Sequence, residues 1–402
     1  MSLPRTCPHD VVTTESEYVR NIDALLLSTY TSAREPSLLE LVRAARGAFP
    51  TVVSERLAAL HMRWSTRPSD QGIEDPSSPE LHALDFEWPF STDTIARLLD
   101  WIGYRSVNLI GLPSVMLQLD PEADACLIER NPLVQARNHW LASRKNFRLG
   151  DILTLDLSSI PRRRVVAFDS PWYFGETVLW LLRAVELVEA GGEIGFSLYG
   201  ESTRPTAPLE REEILTIASR IGDVELCEAE LEYVTPRYEA CALEAAGLPP
   251  LRRWRRGDFV RVTVGAKRAR PLQLPLIAQP VPREPWITYR VGRQVVKLRR
   301  PNGRRLRDEA ARVPFAPIEA LGGWAYPSVS LRDELRGSIH LWTSRNQVAQ
   351  VLDHDVVRQR LEALEKAAAR GLSTKRWLSR YDWAGRQEEA RAWRELLRVD
   401  LD

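Results

Sequence analysis

The order of apolar runs predicts an α/β protein with a doubly wound, mostly parallel Rossmann-like sheet. A small N-terminal helical domain and a C-terminal α+β domain are predicted to flank it. Short strand patterns alternate with amphipathic helical patterns across residues 81–270, as expected for a parallel sheet covered by helices on both faces. Helical periodicity alone precedes this region, and five prolines between Pro271 and Pro285 follow it. We therefore predict domains at residues 1–80, 81–270 and 271–402.

The first predicted domain contains two helical patterns, residues 37–49 and 51–60, which Pro50 separates. This arrangement permits a helix-turn-helix geometry. A small helical bundle is favoured over a nucleic-acid-binding domain, because the second pattern carries no cluster of polar recognition residues. The polar segment from Thr66 to Glu80 contains three prolines and reads as a linker.

The central domain is predicted to open with a helix over residues 93–101, which Ser91 or Thr92 can cap. The predicted strands are Val107–Gly111, Ala125–Glu129, Arg164–Asp169, Glu193–Tyr199 and Asp258–Val264. The predicted helices between them are residues 132–143, 175–190 and 210–221, and Gly191-Gly192 is expected to close the second of these. Such sheets bind ligands at the carboxyl ends of their strands.

The C-terminal domain begins with a predicted hairpin, Trp286–Leu298, that turns near Gly292. Its clearest helical pattern runs from His354 to Arg370, with Gly371 at the position just beyond the helix end.

Composition restricts the class of protein. The chain has 402 residues, of which 44% are hydrophobic and 27% charged, as is usual for a soluble globular protein. No apolar run approaches the ~20 residues that cross a bilayer, and the N-terminus has no apolar signal segment. The six histidines lack metal-ligand spacing, and the four cysteines form no CxxC pair. We therefore expect a cytoplasmic protein without a metal or membrane partner.

The net charge of +1 conceals a strongly basic stretch. Residues 252–312 carry 18 Lys or Arg and 4 Asp or Glu, an excess of +14. Trp254 lies within it, between two pairs of arginines, in the manner of a nucleic-acid contact. We predict that this stretch binds nucleic acid or an acidic protein surface, whereas a solvated basic face is the simpler alternative. The oligomeric state stays open.

The segment Asp169-Ser-Pro-Trp-Tyr carries the clearest chemical signal, because it directly follows a predicted strand. A carboxylate at this point faces the ligand crevice and can hold an amine, while Pro171 stiffens the turn and Trp172 offers a flat apolar surface. Glu129, at the end of the second strand, can accept hydrogen bonds from ribose hydroxyls. Asp151, in the loop before the third strand, can accept from an adenine amino group. Together these residues predict a nucleoside site.

This order of motifs resembles class I S-adenosylmethionine-dependent methyltransferases, most closely the amino-methyltransferases that share a DPPW, DPPF or NPPY-type tetrapeptide. The resemblance covers roughly Asp85 to Lys267. It implies that Asp169, Pro171 and Trp172 are catalytic. In this interpretation Asp169 accepts a hydrogen bond from the attacking amine, Pro171 exposes its neighbouring carbonyl as a second acceptor, and Trp172 packs against the substrate group.

The same resemblance implies a set of residues that bind S-adenosylmethionine. The segment ending in Phe90, Ser91 and Thr92 looks like the family's aromatic-plus-hydroxyl segment that contacts the cofactor. The segment Leu109-Ile-Gly-Leu-Pro-Ser-Val occupies the place of the family's first motif, which implicates Gly111, Pro113 and Ser114. Its Pro-Ser form is similar to that of relatives that methylate lysine on translation factors and are related to adenine methyltransferases. Glu129 is then the ribose acid and Asp151 the adenine contact.

The sequence thus predicts a methyltransferase that acts on an amino nitrogen, either adenine in nucleic acid or a protein lysine. The alternative is an inactive methyltransferase-like scaffold that binds a protein or nucleic-acid partner. Ser170 in place of the family's proline and a single glycine in the first motif favour the scaffold. The three carboxylates at three strand ends favour the enzyme.

Overall fold

A seven-stranded mixed sheet organises the first part of the computed structural model. Its strands are β1 (Val107–Ile110), β2 (Ala125–Glu129), β3 (Phe147–Leu149), β4 (Arg163–Phe168), β5 (Val188–Tyr199), β6 (Gly222–Glu232) and β7 (Arg256–Val264). They lie in the order β3-β2-β1-β4-β5-β7-β6. The first five are parallel, whereas β7 runs antiparallel to both β5 and β6. This arrangement confirms the predicted fold class.

The structure describes residues 15–32, 35–72, 80–137, 146–265, 285–301, 312–330, 333–380 and 386–398. The C-terminal part of the predicted helix at residues 132–143, most of the proline-rich segment and the boundary predicted at residue 270 lie outside these ranges. The chain divides into two units. The first comprises Met1–Asp70, Pro89–Val234 and Arg253–Val281, and the second comprises Gln71–Trp88, Thr235–Arg252 and Pro282–Asp402.

Helices of the first unit follow the sequence pattern closely. They are α1 (Glu15–Ser32), α2 (Leu38–Ala44), α3 (Pro50–Ala59), α4 (Thr92–Ile102), α5 (Pro113–Met116), α6 (Pro132–Arg137), α7 (Phe174–Leu187) and α8 (Ala207–Ser219). A capping box starts α2, in which Ser37 and Glu40 each accept from the other's backbone N–H. Pro50 is the first residue of α3, where its missing N–H has no structural cost. Both helical patterns predicted near the N-terminus are therefore confirmed.

The predicted role of Gly191-Gly192 is wrong. Helix α7 ends at Leu187, and both glycines lie inside β5. The pairing of β4 with β5 shifts between Arg163 and Val165, which marks an irregularity of the strand pair. A Cβ atom at Gly192 would lie 2.6 Å from the carbonyl oxygen of Arg164, so glycine is required by the close approach of β4.

The described residues of the second unit form a five-stranded antiparallel sheet and the four helices that follow α8. Its strands are β8 (Trp286–Val291), β9 (Gln294–Arg299), β10 (Phe315–Ala316), β11 (Leu341–Thr343) and β12 (Val348–Val351). Its helices are α9 (Arg237–Ala245), α10 (His354–Ala369), α11 (Thr374–Arg380) and α12 (Gln387–Leu396), the last three of which follow the sheet in the chain. The predicted hairpin at Gly292 and the predicted helix from His354 are both confirmed. Trp393, Phe315 and Leu361 belong to its hydrophobic core.

Candidate functional site

Four chemistry-bearing residues follow neighbouring strands at one edge of the seven-stranded sheet, called here the carboxyl edge. Gly111 follows β1, Glu129 ends β2, Asp151 comes shortly after β3 and Asp169 follows β4. The register aligns Ile110 with both Ile128 and Phe168, so these strands end at the same level. The structure therefore brings together the strand-end residues on which the sequence prediction depended.

Asp169 has its carboxylate held by two hydroxyl groups. Tyr233 donates a hydrogen bond of 3.0 Å to Oδ1, and Ser197 donates to the same oxygen. Enclosure by the protein raises the pKa of Asp169 to about 6, although both hydrogen bonds and the charge of Arg255 act in the opposite direction. This carboxyl group therefore changes its charge close to neutral pH.

Tyr233 is almost completely buried beside this carboxylate. Burial, followed by the negative charge of Asp169, raises the pKa of Tyr233 well above its usual value. The phenol consequently keeps its proton and acts as a hydrogen-bond donor to Asp169 at any physiological pH.

The loop after β4 is tied to the helix that follows it. The Ser170 and Thr177 hydroxyl groups lie 3.0 Å apart and form a buried hydrogen bond. The Pro171 carbonyl accepts a hydrogen bond of 2.6 Å from the backbone N–H of Tyr173, immediately before α7 begins at Phe174. Ser170 therefore supplies a tether to α7, and one lone pair of the Pro171 carbonyl is already engaged.

Trp172 is enclosed, with 8% of its surface exposed. The guanidinium carbon of Arg255 lies 3.7 Å from the centre of its ring system, and the Tyr233 ring meets it edge-on at 5.6 Å. A Cβ atom at Gly257 would lie 3.0 Å from Trp172 Cζ2, so the glycine makes room for the indole. The Trp172 carbonyl accepts a hydrogen bond of 3.0 Å from Arg204.

The first-motif residues lie directly after β1. Gly111 has a φ of +66°, a conformation that favours glycine. A Cβ atom there would lie 3.2 Å from the Trp180 ring, so the position also accommodates packing from α7. Pro113 and Ser114 begin the single turn of α5, and both are partly exposed. Their predicted contacts with a cofactor stay predictions.

The two predicted nucleoside carboxylates differ in their surroundings. Glu129 is buried, and its Oε1 accepts a hydrogen bond of 2.7 Å from the backbone of Asn131. Asp151 is partly exposed, and its Oδ1 accepts from the backbone of Leu153 at 3.1 Å. Each carboxylate thus shapes its own loop through one oxygen. Their predicted roles toward ribose and adenine stay predictions.

The aromatic-plus-hydroxyl segment is linked to Asp169 through Tyr233. The Phe90 ring packs on Tyr233 with ring centres 4.8 Å apart, and Tyr233 in turn contacts Asp169. Ser91 is buried and caps α4 by accepting from the backbone N–H of Thr94. Thr92 is the first residue of α4 and is exposed. Phe90 is therefore connected to the predicted catalytic residue, whereas Ser91 already performs a structural role.

Sequence reasoning missed four residues around Asp169 and Trp172: Ser197, Tyr233, Arg204 and Arg255. Ser197 could have been noticed as a lone hydroxyl in an apolar strand. Tyr233 and Arg255 could not have been found, because the pairing of β7 between β5 and β6 brings them to the site. Arg204 could not have been found either, because it lies in the loop after β5.

Within the basic stretch, only residues 252–265, 285–301 and 312 are described. Arg253 and Arg256 face the carboxylate of Glu232 at 3.6 and 3.1 Å, and Arg261 is paired with Glu225. Trp254 is 3% exposed and packs edge-on against Phe49, with ring centres 5.2 Å apart. A base-stacking role for Trp254 is therefore wrong, because its ring belongs to the core of the first unit.

The described parts of the chain contain no group of three or more His, Cys, Asp or Glu residues that could hold a metal ion. None of their helices is both long and apolar enough to cross a membrane.

Comparison with known proteins gives structural likenesses without sequence relatives. No protein-family model matches the chain, and no curated protein sequence matches it. A mutein of the branched-chain polyamine synthase from Thermus thermophilus aligns with a TM-score of 0.44 and 12% identity, over 66% of this chain and 94% of that one. The N-methyltransferase NodS from Bradyrhizobium japonicum aligns with a TM-score of 0.30 and 14% identity, over 42% and 92% of the two chains. A putative RNA methyltransferase from Pyrococcus horikoshii aligns with a TM-score of 0.31 and 13% identity, over 48% and 92%.

The described strands form a Rossmann-like sheet, mostly parallel and seven-stranded. The order and direction of its strands carry this assignment.

Proposed function

We propose that the protein is an S-adenosylmethionine-dependent methyltransferase that acts on an amino nitrogen. The observation that carries the proposal is the carboxylate of Asp169 at the end of β4, held by Ser197 and Tyr233 beside the enclosed Trp172. An acid with a pKa of about 6 is deprotonated at neutral pH and can accept a hydrogen bond from an amine.

The chain's own residues would position the acceptor and take up its proton. S-adenosylmethionine, when bound, supplies an electrophilic methyl group on a sulfonium sulfur. Glu129 would hold the ribose hydroxyls and Asp151 the adenine amino group, and Phe90, Ser91, Thr92, Gly111, Pro113 and Ser114 would complete the cofactor site. Asp169 would orient the amine nitrogen along the line of transfer, while Trp172 limits water around it.

The decisive experiment separates donor binding from methyl transfer. Calorimetric titration with S-adenosylmethionine and S-adenosylhomocysteine should give saturable heat for wild type and for Asp169→Asn alike. Transfer of a radiolabelled methyl group to pools of nucleic acid, protein and small amines should occur with wild type and be lost in Asp169→Asn. No saturable heat with either ligand would show that the cofactor site is misassigned. Binding without transfer to any pool would establish the scaffold alternative.

A second donor should be assayed in parallel. The polyamine synthase is described in complex with N4-aminopropylspermidine and 5′-methylthioadenosine, so decarboxylated S-adenosylmethionine is a useful probe. Release of 5′-methylthioadenosine in place of S-adenosylhomocysteine would show that the group transferred to the amine is aminopropyl and not methyl.

The stretch 252–312 is proposed to engage nucleic acid or an acidic protein surface. Affinity for nucleic acid should fall steeply with salt, by about 0.9 log units per contacted phosphate for each log unit of salt on duplex DNA. Binding that is absent near 100 mM salt, about where nonspecific contacts still survive, would leave the acidic protein surface as the partner.

A further inference from the structure

The face of Trp172 that a flat substrate would need is covered. The Arg255 guanidinium carbon is 3.7 Å from the indole centre, which is the distance at which the atoms of a stacked base would lie. A nucleobase could use this face only after Arg255 had left it and its cation–π contact had been lost.

The remaining approaches to the indole are also restricted. Tyr233 meets Trp172 edge-on at 5.6 Å, Tyr199 lies at 6.4 Å, and the space beside Cζ2 is too small for a side chain at Gly257, whose Cβ atom would lie 3.0 Å from it. Only 8% of Trp172 is exposed. Trp172 is therefore a wall of the site, and its area for stacking is small.

Asp169 is partly exposed as a residue, whereas Trp172 is almost completely buried. Both protein hydroxyls, those of Ser197 and Tyr233, bind the same oxygen, Oδ1. Among the described residues none donates a hydrogen bond to Oδ2, and Asp169 keeps part of its surface exposed. One carboxylate oxygen is thus fixed by the protein, and the other is available to a ligand.

We infer that the acceptor is a primary aliphatic amine on a slender alkyl chain, which reaches Asp169 by a hydrogen bond to Oδ2, and not a nucleobase. This inference rests on the proposed function and selects between the two acceptors that it leaves open. A methylene chain is narrow enough to reach Asp169 without displacing Arg255, whereas a purine needs the full face of an aromatic ring.

The charges around the site suit the chemistry of such an amine. Asp169 attracts the amine, and the positive charge of Arg255 disfavours its protonated form, which has no lone pair for attack. As the nitrogen–carbon bond forms, the carbon–sulfur bond breaks and S-adenosylhomocysteine leaves. The proton that the new ammonium group releases passes to the carboxylate of Asp169, which balances the step.

The test compares Arg255→Ala with its neighbour Arg256→Ala, whose guanidinium faces Glu232 at 3.1 Å. Each protein is assayed with spermidine, a lysine-containing peptide, adenosine and an adenine-containing oligonucleotide. Methyl transfer from labelled S-adenosylmethionine gives kcat and KM, and calorimetry in the presence of S-adenosylhomocysteine gives acceptor affinity.

We expect wild type to methylate spermidine or the peptide at least tenfold faster than either adenine acceptor. Methylation of spermidine alone would identify the acceptor as a free amine. Methylation of the peptide alone would identify it as a protein lysine. Arg255→Ala should bind adenosine at least threefold more tightly than wild type because it frees the indole face, whereas Arg256→Ala should not. Loss of positive charge alone weakens oligonucleotide binding, so a gain reports the freed ring.

Comparable or faster transfer to adenine by wild type would overturn the inference and leave the proposed function intact. Donor-loaded protein that neither binds nor methylates either amine would also overturn it. Absence of donor binding would instead contradict the proposed function itself.

Discussion

The two halves of the seven-stranded sheet contribute to the site in different ways. Strands β1–β4 are parallel, and Gly111, Glu129 and Asp169 lie in sequence where each of three strands ends. Strands β5–β7 are mixed, and they surround Asp169 with Ser197, Tyr233 and Arg255. The first half carries the predicted reactive groups, and the second half adjusts the charge of Asp169 and closes the space around it.

Removal of the hydroxyl groups of Ser197 and Tyr233 tests most severely whether the second half of the sheet adjusts Asp169. The double variant Ser197→Ala, Tyr233→Phe leaves Asp169 in place but deletes both hydrogen bonds to its carboxylate. Each charge-assisted bond stabilises the ionised form by about 1.5–3 kcal/mol, so the pKa of Asp169 should rise above its present value of about 6. Transfer should fall roughly 10-fold or more at pH 6.5 and much less at pH 8.5.

The wild type provides the reference profile, with activity falling as the pH drops through about 6, because a protonated Asp169 cannot accept the proton. Tyr18→Phe is the matched control, since the Tyr18 hydroxyl donates to the Ser202 carbonyl away from Asp169. If activity falls at the same acidic pH in the double variant as in wild type, the hydroxyl groups from the second half of the sheet do not adjust the pKa of Asp169.

The second prediction concerns how the ionised carboxylate of Asp169 lowers the free energy of unfolding. The pKa of Asp169 in the folded protein, about 6, lies above the value of 3.8 expected for an exposed group. The folded state therefore holds a proton that the unfolded state releases between these values, and stability falls as the pH rises from about 4 to above 6.

Asp169→Asn removes the charge and keeps an oxygen for both hydroxyl donors. It should raise the free energy of unfolding by ~1–3 kcal/mol at pH 8 and change it little at pH 4. Urea unfolding at the two pH values measures this difference, with the exposed Asp223→Asn as control. Equal effects at both pH values would contradict a buried charge as the cause.

The third prediction returns to the parallel half. Glu129→Gln preserves the oxygen that accepts from Asn131 but removes the charge assigned to the ribose hydroxyls. Affinity for S-adenosylmethionine should fall by about 1–3 kcal/mol, without any shift of the acid limb of the pH profile. Calorimetry with Glu122→Gln, an exposed position before β2, provides the control. A changed pH profile would mean that the two halves do not act separately.

The smallest expected effect tests the wall of the site. In Gly257→Ala the new methyl group would lie 3.0 Å from Trp172 Cζ2 and 3.2 Å from the Leu198 carbonyl oxygen, so the indole must shift. We expect a several-fold rise in acceptor KM with unchanged donor affinity. Gly337→Ala, where a Cβ meets nothing within 4 Å, should behave as wild type. Unchanged kinetics in Gly257→Ala would remove Trp172 from acceptor binding.

The sequence predicts the parallel half of the site well because its residues are local to the strands that position them. Asp169 and Glu129 can be placed from the end of a single apolar run, and parallel strands bring such ends to one edge. The mixed half depends on β7 pairing between β5 and β6, which is set by contacts between distant segments. Arg255 accordingly reads as part of a basic stretch until that pairing places it on Trp172.

Local patterns also misled in two places for identifiable reasons. Gly191-Gly192 has the composition of a helix end, but both residues lie in β5, and the close approach of β4 leaves no room for a side chain at Gly192. Trp254 has charged neighbours in sequence but an apolar neighbour in space, because the turn before β7 directs its ring onto Phe49.

Arg204 connects the loops after β4 and β5, so that the two loops open together. Its guanidinium donates to the Trp172 carbonyl, lies 4.2 Å from the centre of the Tyr199 ring and is paired with Glu210. Neither loop can open alone without breaking these contacts. We therefore expect the backbone amides of the two loops to exchange their hydrogens with one shared free energy of opening, as a single cooperative unit. Entry of an acceptor would then be governed by one opening equilibrium.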